Sequence, residues 1–382
     1  MKILIVAAKA NMIEQFNQHN IDLLLELGYE VHVASDFVNF GSMDFDARER
    51  LLERLQEKSV VVHQVAFARG IGSPFGNLKT TYELIRIIRT FEIDLVHAQS
   101  PIGGVLGRIA SALCHKKSLY TAHGLHFFKK GPLKNWLFFP IEYGLSFFTD
   151  TLIMINQRDY RFAQTRLHAR HTVQIYGVGV AVAVAGRSSD IDRAKFRNHA
   201  RRDLGLETTD FAIISVGELN KNKNHLSVLK ALAELKDPQI HYFIAGVGPL
   251  HDQLIEYARK NGLQAHIHLM GYVKDLRKLH FAADMNAFLS VREGLGLGGL
   301  ESMLDGNYIL GSENTGMVDF ILNDELGYLI NPKDVGMIKS KIMAIKHRQL
   351  RANVAGNRVA LMKFDHAEVD RVMRAVYARY LK

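Results

Sequence analysis

The chain has 382 residues, of which 48% are hydrophobic and 23% charged, with a formal net charge of +9. That balance excludes a disordered or fibrous chain and leaves room for two ordinary domains. A single cysteine, Cys114, excludes an internal disulfide and a cysteine-built zinc site, and it predicts a reducing compartment.

The first residues, 1–8, are too short an apolar run and too soon polar for a secretory leader, and no later stretch approaches a membrane span. Short runs rich in Val, Ile and Leu at 2–8, 30–34, 60–65, 94–97, 117–121, 150–155 and 173–176 predict buried strands. Between them, 12–27 and 78–89 carry the 3.6-residue spacing of helices. The small-residue segment 177–187 reads as a connector. Strand patterning then resumes at 210–216, 241–245, 265–269, 284–289, 308–310 and 327–330, and 365–381 predicts an amphipathic terminal helix. Alternation of this kind predicts an α/β chain of two Rossmann-like, doubly wound domains facing across a cleft. The expected boundaries are 1–180, 181–365 and a C-terminal helix, 366–382, free to cross back to the first domain.

Charge is unevenly placed. From Gly104 to Tyr176 there are ten Lys and Arg against Glu142, Asp150 and Asp159. Mixed with Phe127, Phe128, Trp136, Leu137, Phe138 and Phe139, these bases suit an anionic membrane surface. No helix-turn-helix, RNP or zinc-finger pattern supports a nucleic-acid face, and a solvated basic face is the plain alternative.

The segment from Ser290 to Met303 follows a predicted strand and opens a helix. Its glycines allow a ligand close to the backbone, and free amides at a helix start favour phosphate. Glu293 and Glu301 bracket the loop, and carboxylates suit sugar hydroxyls, from which they accept hydrogen bonds. Gly294, Gly296 and Gly299 also satisfy G-x-G-x-x-G, with Glu313 further on. Yet only a short helix fits before Tyr308, and the first strand–helix junction lacks glycine, which argues against a nicotinamide site.

The loop resembles the E-G-[FL]-G-L-x-x-x-E pattern of retaining glycosyltransferases of family 4, which have the GT-B fold. Supporting matches are Thr121-Ala122-His123-Gly124-Leu125-His126-Phe127, Pro132-Leu133-Lys134-Asn135-Trp136, Thr149-Asp150, Gly217-Glu218-Leu219-Asn220 with Asn222-Lys223-Asn224-His225, Gly246-Val247-Gly248-Pro249-Leu250 and Asn314-Thr315-Gly316. They cover nearly the whole chain and are similar to the branch that builds bacterial capsule and exopolysaccharide.

The resemblance implies roles for particular residues. Glu301 would bind the ribose of a nucleotide-sugar donor and Glu293 the transferred sugar. Amides around Leu295, Gly296 and Leu297 would cradle the distal phosphate, with Gly217, Asn220, Thr315 and Gly316 completing the donor site. Lys223 would neutralise the diphosphate, and His123 would contact donor sugar or acceptor. Glu293, Lys223 and His123 are thus the expected catalytic set, and Lys129, Lys130 and Trp136 the acceptor or membrane contacts. Three places depart from the pattern: Glu218 stands where the wider family has arginine, Ala181 where the connector usually continues with aspartate, and the first loop, Ala7 to Asn17, has neither the wider family's double glycine nor the histidine the branch often shows near Asn17.

The implied activity is retaining transfer of a hexosyl or N-acetylhexosaminyl group from a UDP-sugar. The acceptor would be a lipid-diphosphate-linked saccharide at the inner face of the cell membrane, with no metal or other cofactor and no nucleic-acid partner. The alternatives are a GT-B UDP-sugar epimerase and a non-catalytic, membrane-associated nucleotide-sugar-binding protein.

Overall fold

The computed structural model describes residues 1–68, 70–128, 133–185 and 190–381. The chain divides into two units, Met1–Gly179 with His366–Lys382, and Val180–Asp365.

In the first unit β1 (Lys2–Val6), β2 (Glu30–Ser35), β3 (Val61–Gln64), β4 (Leu95–Gln99), β5 (Lys117–Ala122), β6 (Thr151–Met154) and β7 (His171–Gln174) form one parallel sheet in the order β3-β2-β1-β4-β5-β6-β7. Ile3, Leu4, Ile5 and Val6 are wholly buried, as the central strand of a sheet covered on both faces requires. The last strand starts two residues before the apolar run 173–176, because the ladder to β6 opens on the Thr151–His171 pair. An edge strand needs only one partner and can carry the exposed His171.

The expected continuous helix over 12–27 is two helices, Ala10–Phe16 and Gln18–Glu26, broken at Asn17. Asn17 is fully buried, and its side chain donates to the Met12 carbonyl at 3.0 Å and to Gln99 Oε1 at 3.2 Å. Asparagine competes with helical hydrogen bonding in this way, and periodicity alone does not register it. The helix expected over 78–89 runs Pro74–Thr90, since Ser73 caps it through the Gly76 amide and Pro74 fits its first turn.

The terminal helix His366–Ala378 packs within the first unit. Tyr29 Oη donates to the Tyr377 carbonyl at 2.8 Å, and His97 Nδ1 meets Tyr377 Oη at 3.0 Å.

Two expectations about the basic surface are corrected. Arg108 is buried, paired with Glu142 at 2.8 Å and stacked on the Tyr120 ring, so it adds nothing to a surface field. Phe127 and Phe128 are also buried, Phe127 in an aromatic core with Phe139 and Phe162 and Phe128 beneath the Arg158 guanidinium. Among the described residues no helix is long and apolar enough to cross a membrane.

In the second unit β8 (Phe211–Val216), β9 (Ile240–Ala245), β10 (Ile267–Gly271), β11 (Met285–Phe288), β12 (Tyr308–Ser312) and β13 (Gly327–Ile330) form a parallel sheet in the order β10-β9-β8-β11-β12-β13. At the connector, Asp365 accepts from the Ala183 amide at 2.7 Å, so a carboxylate from the far end of the unit serves a segment that lacks aspartate at Ala181. Asp284, just before β11, receives Arg197 and Arg351 at 2.6 Å each and Arg201 at 3.3 Å.

Candidate active site

The site residues of the second unit gather beyond the carboxyl ends of β8, β11 and β12, where parallel sheets present their loops. After β8, Asn220 Oδ1 accepts the amides of Asn222 and Lys223, both at 2.9 Å, and ties the turn that carries Lys223. Asn222 then clamps the loop after β11: its side chain donates to the Arg292 carbonyl at 3.0 Å and accepts the Arg292 amide at 3.1 Å. Through this clamp Lys223 Nζ reaches Glu293 Oε2 at 2.8 Å, with each side chain about one-fifth exposed. Lys223 Nζ also lies 5.0 Å from the centre of the Phe288 ring at the end of β11.

Backbone crowding explains the glycines. Gly316, opening the short turn Gly316–Asp319 after β12, would bring a Cβ to 1.8 Å from the Gly294 carbonyl, so only glycine lets the two loops touch. Gly296 sits at φ +91° as the residue before the helix Leu297–Leu304, a left-handed conformation natural to glycine. It supplies no capping side chain. Among the described residues the amides of Leu295, Gly296, Leu297 and Gly298 have no hydrogen-bond acceptor. Four donors at a helix start beside a lysine form a positive, anion-seeking surface.

Glu301 lies within that eight-residue helix, too short for the long first helix of a dinucleotide fold. Its side chain is exposed and, among the described residues, makes no hydrogen bond or ion pair. The protein mass around it raises its carboxyl above the ordinary range, with His280 opposing and Asp305 adding to the rise.

Not every expected donor residue offers a free group. Thr315 is buried, its hydroxyl donating to the Ser312 carbonyl at 2.8 Å and capping the Met317 amide at 3.3 Å. Gly217 (φ +144°) makes room for the Lys223 side chain, since a Cβ there would fall 2.9 Å from Lys223 Cε. Asn220 holds Glu218 Oε2 at 2.9 Å, so the glutamate in the arginine position is tethered and exposed.

His123 stands in the first unit just after β5, and its Nε2 meets Gln99 Oε1 at 2.9 Å. Burial pushes it down to about 4, so it is neutral near pH 7. Trp136 is 37% exposed and packs its ring on Phe127 and Phe139. Lys129 and Lys130 lie outside the described residues. Among the described residues no three His, Cys, Asp or Glu side chains converge as metal ligands.

Two residues central to these contacts, Phe288 and Gln99, have no role in the sequence reading, and Asn222 enters it only as a position in a matched motif. Of the first two, only Gln99, a polar residue near His97 in an otherwise apolar strand, carried a visible signal.

Comparison with known proteins gives the family. A glycosyl transferase 4-like family model matches residues 2–156, and a model of group 1 glycosyl transferases matches residues 196–360. A provisionally named glycosyltransferase, EpsD of Bacillus subtilis (strain 168), is 31% identical over 392 residues, covering 100% of this chain and 97% of its own. The chain belongs to glycosyltransferase family 4. A further relative in Escherichia coli, a UDP-Gal:alpha-D-GlcNAc-diphosphoundecaprenol alpha-1,3-galactosyltransferase, is 25% identical over 270 residues, 68% of each chain. Among solved structures, Anabaena HepE in complex with UDP and glucose superposes with a TM-score of 0.76 at 20% identity, covering 99% of both chains. The GT-B fold of the family is thus shared.

Proposed function

We propose that this chain moves a sugar from UDP to a lipid-diphosphate-linked saccharide, with retention at the anomeric carbon, in the synthesis of a cell-surface polysaccharide. The observation that carries the reading is the Lys223–Glu293 pair set beside the partnerless amides of 295–298. A diphosphate docking on those amides offers Lys223 a second anionic partner. Lys223 then shifts toward phosphate and frees Glu293 for the hydroxyls of the sugar. As the bond from the anomeric carbon to phosphate breaks, negative charge grows on the leaving oxygen, where Lys223 and the amides stabilise it. The acceptor hydroxyl attacks from the same face, and the departing phosphate oxygen takes its proton. Glu301, unpartnered and exposed, holds the ribose. The Escherichia coli relative's UDP-galactose and diphosphoundecaprenol, together with UDP in HepE, support the choice of donor and acceptor.

We place the first unit at the inner membrane surface. Exposed Leu133, Leu137, Ile141, Phe147 and Phe148 stand there with Trp136 and Lys134, an apolar and basic mixture suited to an anionic leaflet.

The test incubates purified chain with UDP-sugars and a lipid-diphosphate saccharide and follows UDP release. Acceptor-dependent release supports the reading. Turnover without acceptor replaces it with the epimerase, and binding without turnover replaces it with the non-catalytic protein.

A further inference from the structure

The first unit holds a pair of buried amides that reaches His123 on one side and Asn20 on the other, Asn20 Nδ2 donating to Asn17 Oδ1 at 3.4 Å. Asn17, at the break between the first two helices, and Gln99, the last residue of β4, are both fully buried. Their carboxamides pair reciprocally: Asn17 Nδ2 donates to Gln99 Oε1 at 3.2 Å, and Gln99 Nε2 donates to Asn17 Oδ1. Gln99 Oε1 also faces His123 Nε2 at 2.9 Å.

A reciprocal amide pair reads the same when both amides are reversed, so the pair alone cannot say which atom faces the histidine. The Met12 carbonyl breaks that symmetry. It accepts from Asn17 Nδ2 at 3.0 Å, and reversal would set two carbonyl oxygens against each other. With Asn17 fixed, Gln99 must turn its NH2 toward Asn17 Oδ1, and its oxygen is left for His123. An oxygen at 2.9 Å demands a proton on Nε2, because the other tautomer would oppose two lone pairs. The remaining nitrogen, Nδ1, has no protein partner among the described residues. His97, the nearest competing imidazole, is already occupied by Thr121 Oγ1 at 2.8 Å and Tyr377 Oη at 3.0 Å.

We infer that Asn17 and Gln99 are a positioning pair that holds His123 as the Nε2–H tautomer, reserving its Nδ1 lone pair to accept a hydrogen bond from a sugar hydroxyl. The sugar as partner rests on the function proposed above; the lock itself does not. It gives a purpose to the helix break at Asn17, whose amide meets Gln99 there. The pair acts through His123 and touches no substrate.

The experiment is a long-range 1H–15N correlation spectrum of the histidines in the full chain near pH 7, with His123→Gln used to assign the ring. The expected result is one tautomer, with a pyridine-type Nδ1 and a protonated Nε2. Gln99→Leu removes the acceptor and should release a mixture. Asn17→Ala leaves Gln99 free to turn either its oxygen or its NH2 toward Nε2, so it should also release a mixture and tests the pair even if Gln99→Leu folds poorly. In the transfer assay Gln99→Leu should lose ~10-fold in kcat/KM while UDP affinity stays unchanged, the effect of one misdirected hydrogen bond. A Nδ1–H ring in the unaltered chain, or a tautomer indifferent to Gln99→Leu, overturns the inference. A locked ring in a chain that transfers no sugar upholds the lock and overturns the functional reading alone.

Discussion

Replacing Lys223 with methionine separates the stability of the site from its chemistry. Lys223 Nζ and Glu293 Oε2 lie 2.8 Å apart, with side chains 22% and 20% exposed. Two unit charges ~4 Å apart at an effective dielectric of ~20 attract by ~4 kcal/mol, a gross figure. Both groups give up water to meet, and both can regain it, so the net contribution to folding is ~1 kcal/mol. For a unit of this size that lowers the melting temperature by ~2–4 °C. Turnover should suffer far more. A fixed donor aimed at developing negative charge is worth ~3 kcal/mol, or ~100-fold in kcat. Thermal unfolding with and without UDP, beside UDP release with acceptor, measures both quantities. Lys223→Met should melt nearly as the unaltered chain does, gain less from UDP, and turn over ~100-fold more slowly. Unchanged turnover would refute the argument, and so would a loss of stability large enough to account for the lost activity.

Gly316→Ala drives a Cβ to within 1.8 Å of the Gly294 carbonyl. It should cost ~1–3 kcal/mol in chemical denaturation and abolish the thermal shift produced by UDP. Glu301→Ala should leave the melting temperature almost unchanged, because the side chain is exposed and unpartnered, yet weaken UDP ~10-fold or more by calorimetry. Asp284→Ala leaves Arg197, Arg201 and Arg351 without their shared carboxylate and should destabilise the second unit by ~3 kcal/mol or more in urea. Burial depresses His63 and His123 to about 4 and His97 to about 3, against 6.5 in the unfolded chain. Neutral when folded and protonated when unfolded, they contribute stability that is complete above pH 6.5 and is lost as pH falls toward 4. Unfolding between those values should take up more than one proton, and a flat stability profile there would contradict this.

The interior strands were legible because they are short apolar runs bounded by polar residues, and a strand buried on both faces tolerates little else, whereas the edge strand His171–Gln174 began outside its apolar run. The glycine-rich turn from Glu293 to Glu301 was legible for a similar reason. Gly294, Gly296 and Gly299 between Glu293 and Glu301 answer a local demand, bare backbone at a helix start, that neighbours in sequence can meet. The helix break at Asn17 was not legible, because its cause is Gln99, eighty-two residues away and meaningful only once β4 lies beside the first helices. Arg108 and Phe127 misled in the same way: a guanidinium reads as surface until Glu142 and the Tyr120 ring enclose it.

Read alone, then, the amino-acid order determined the two α/β halves, the family, and the loop on which a nucleotide-sugar is expected to dock, since all of these follow from patterns within a few turns of chain. Tertiary structure decided which nitrogen of His123 is free, that Lys223 waits on Glu293, and which bases reach the surface. Each of those depends on partners tens of residues away, and a hydrogen bond or an ion pair exists only where folding brings two atoms to about 3 Å.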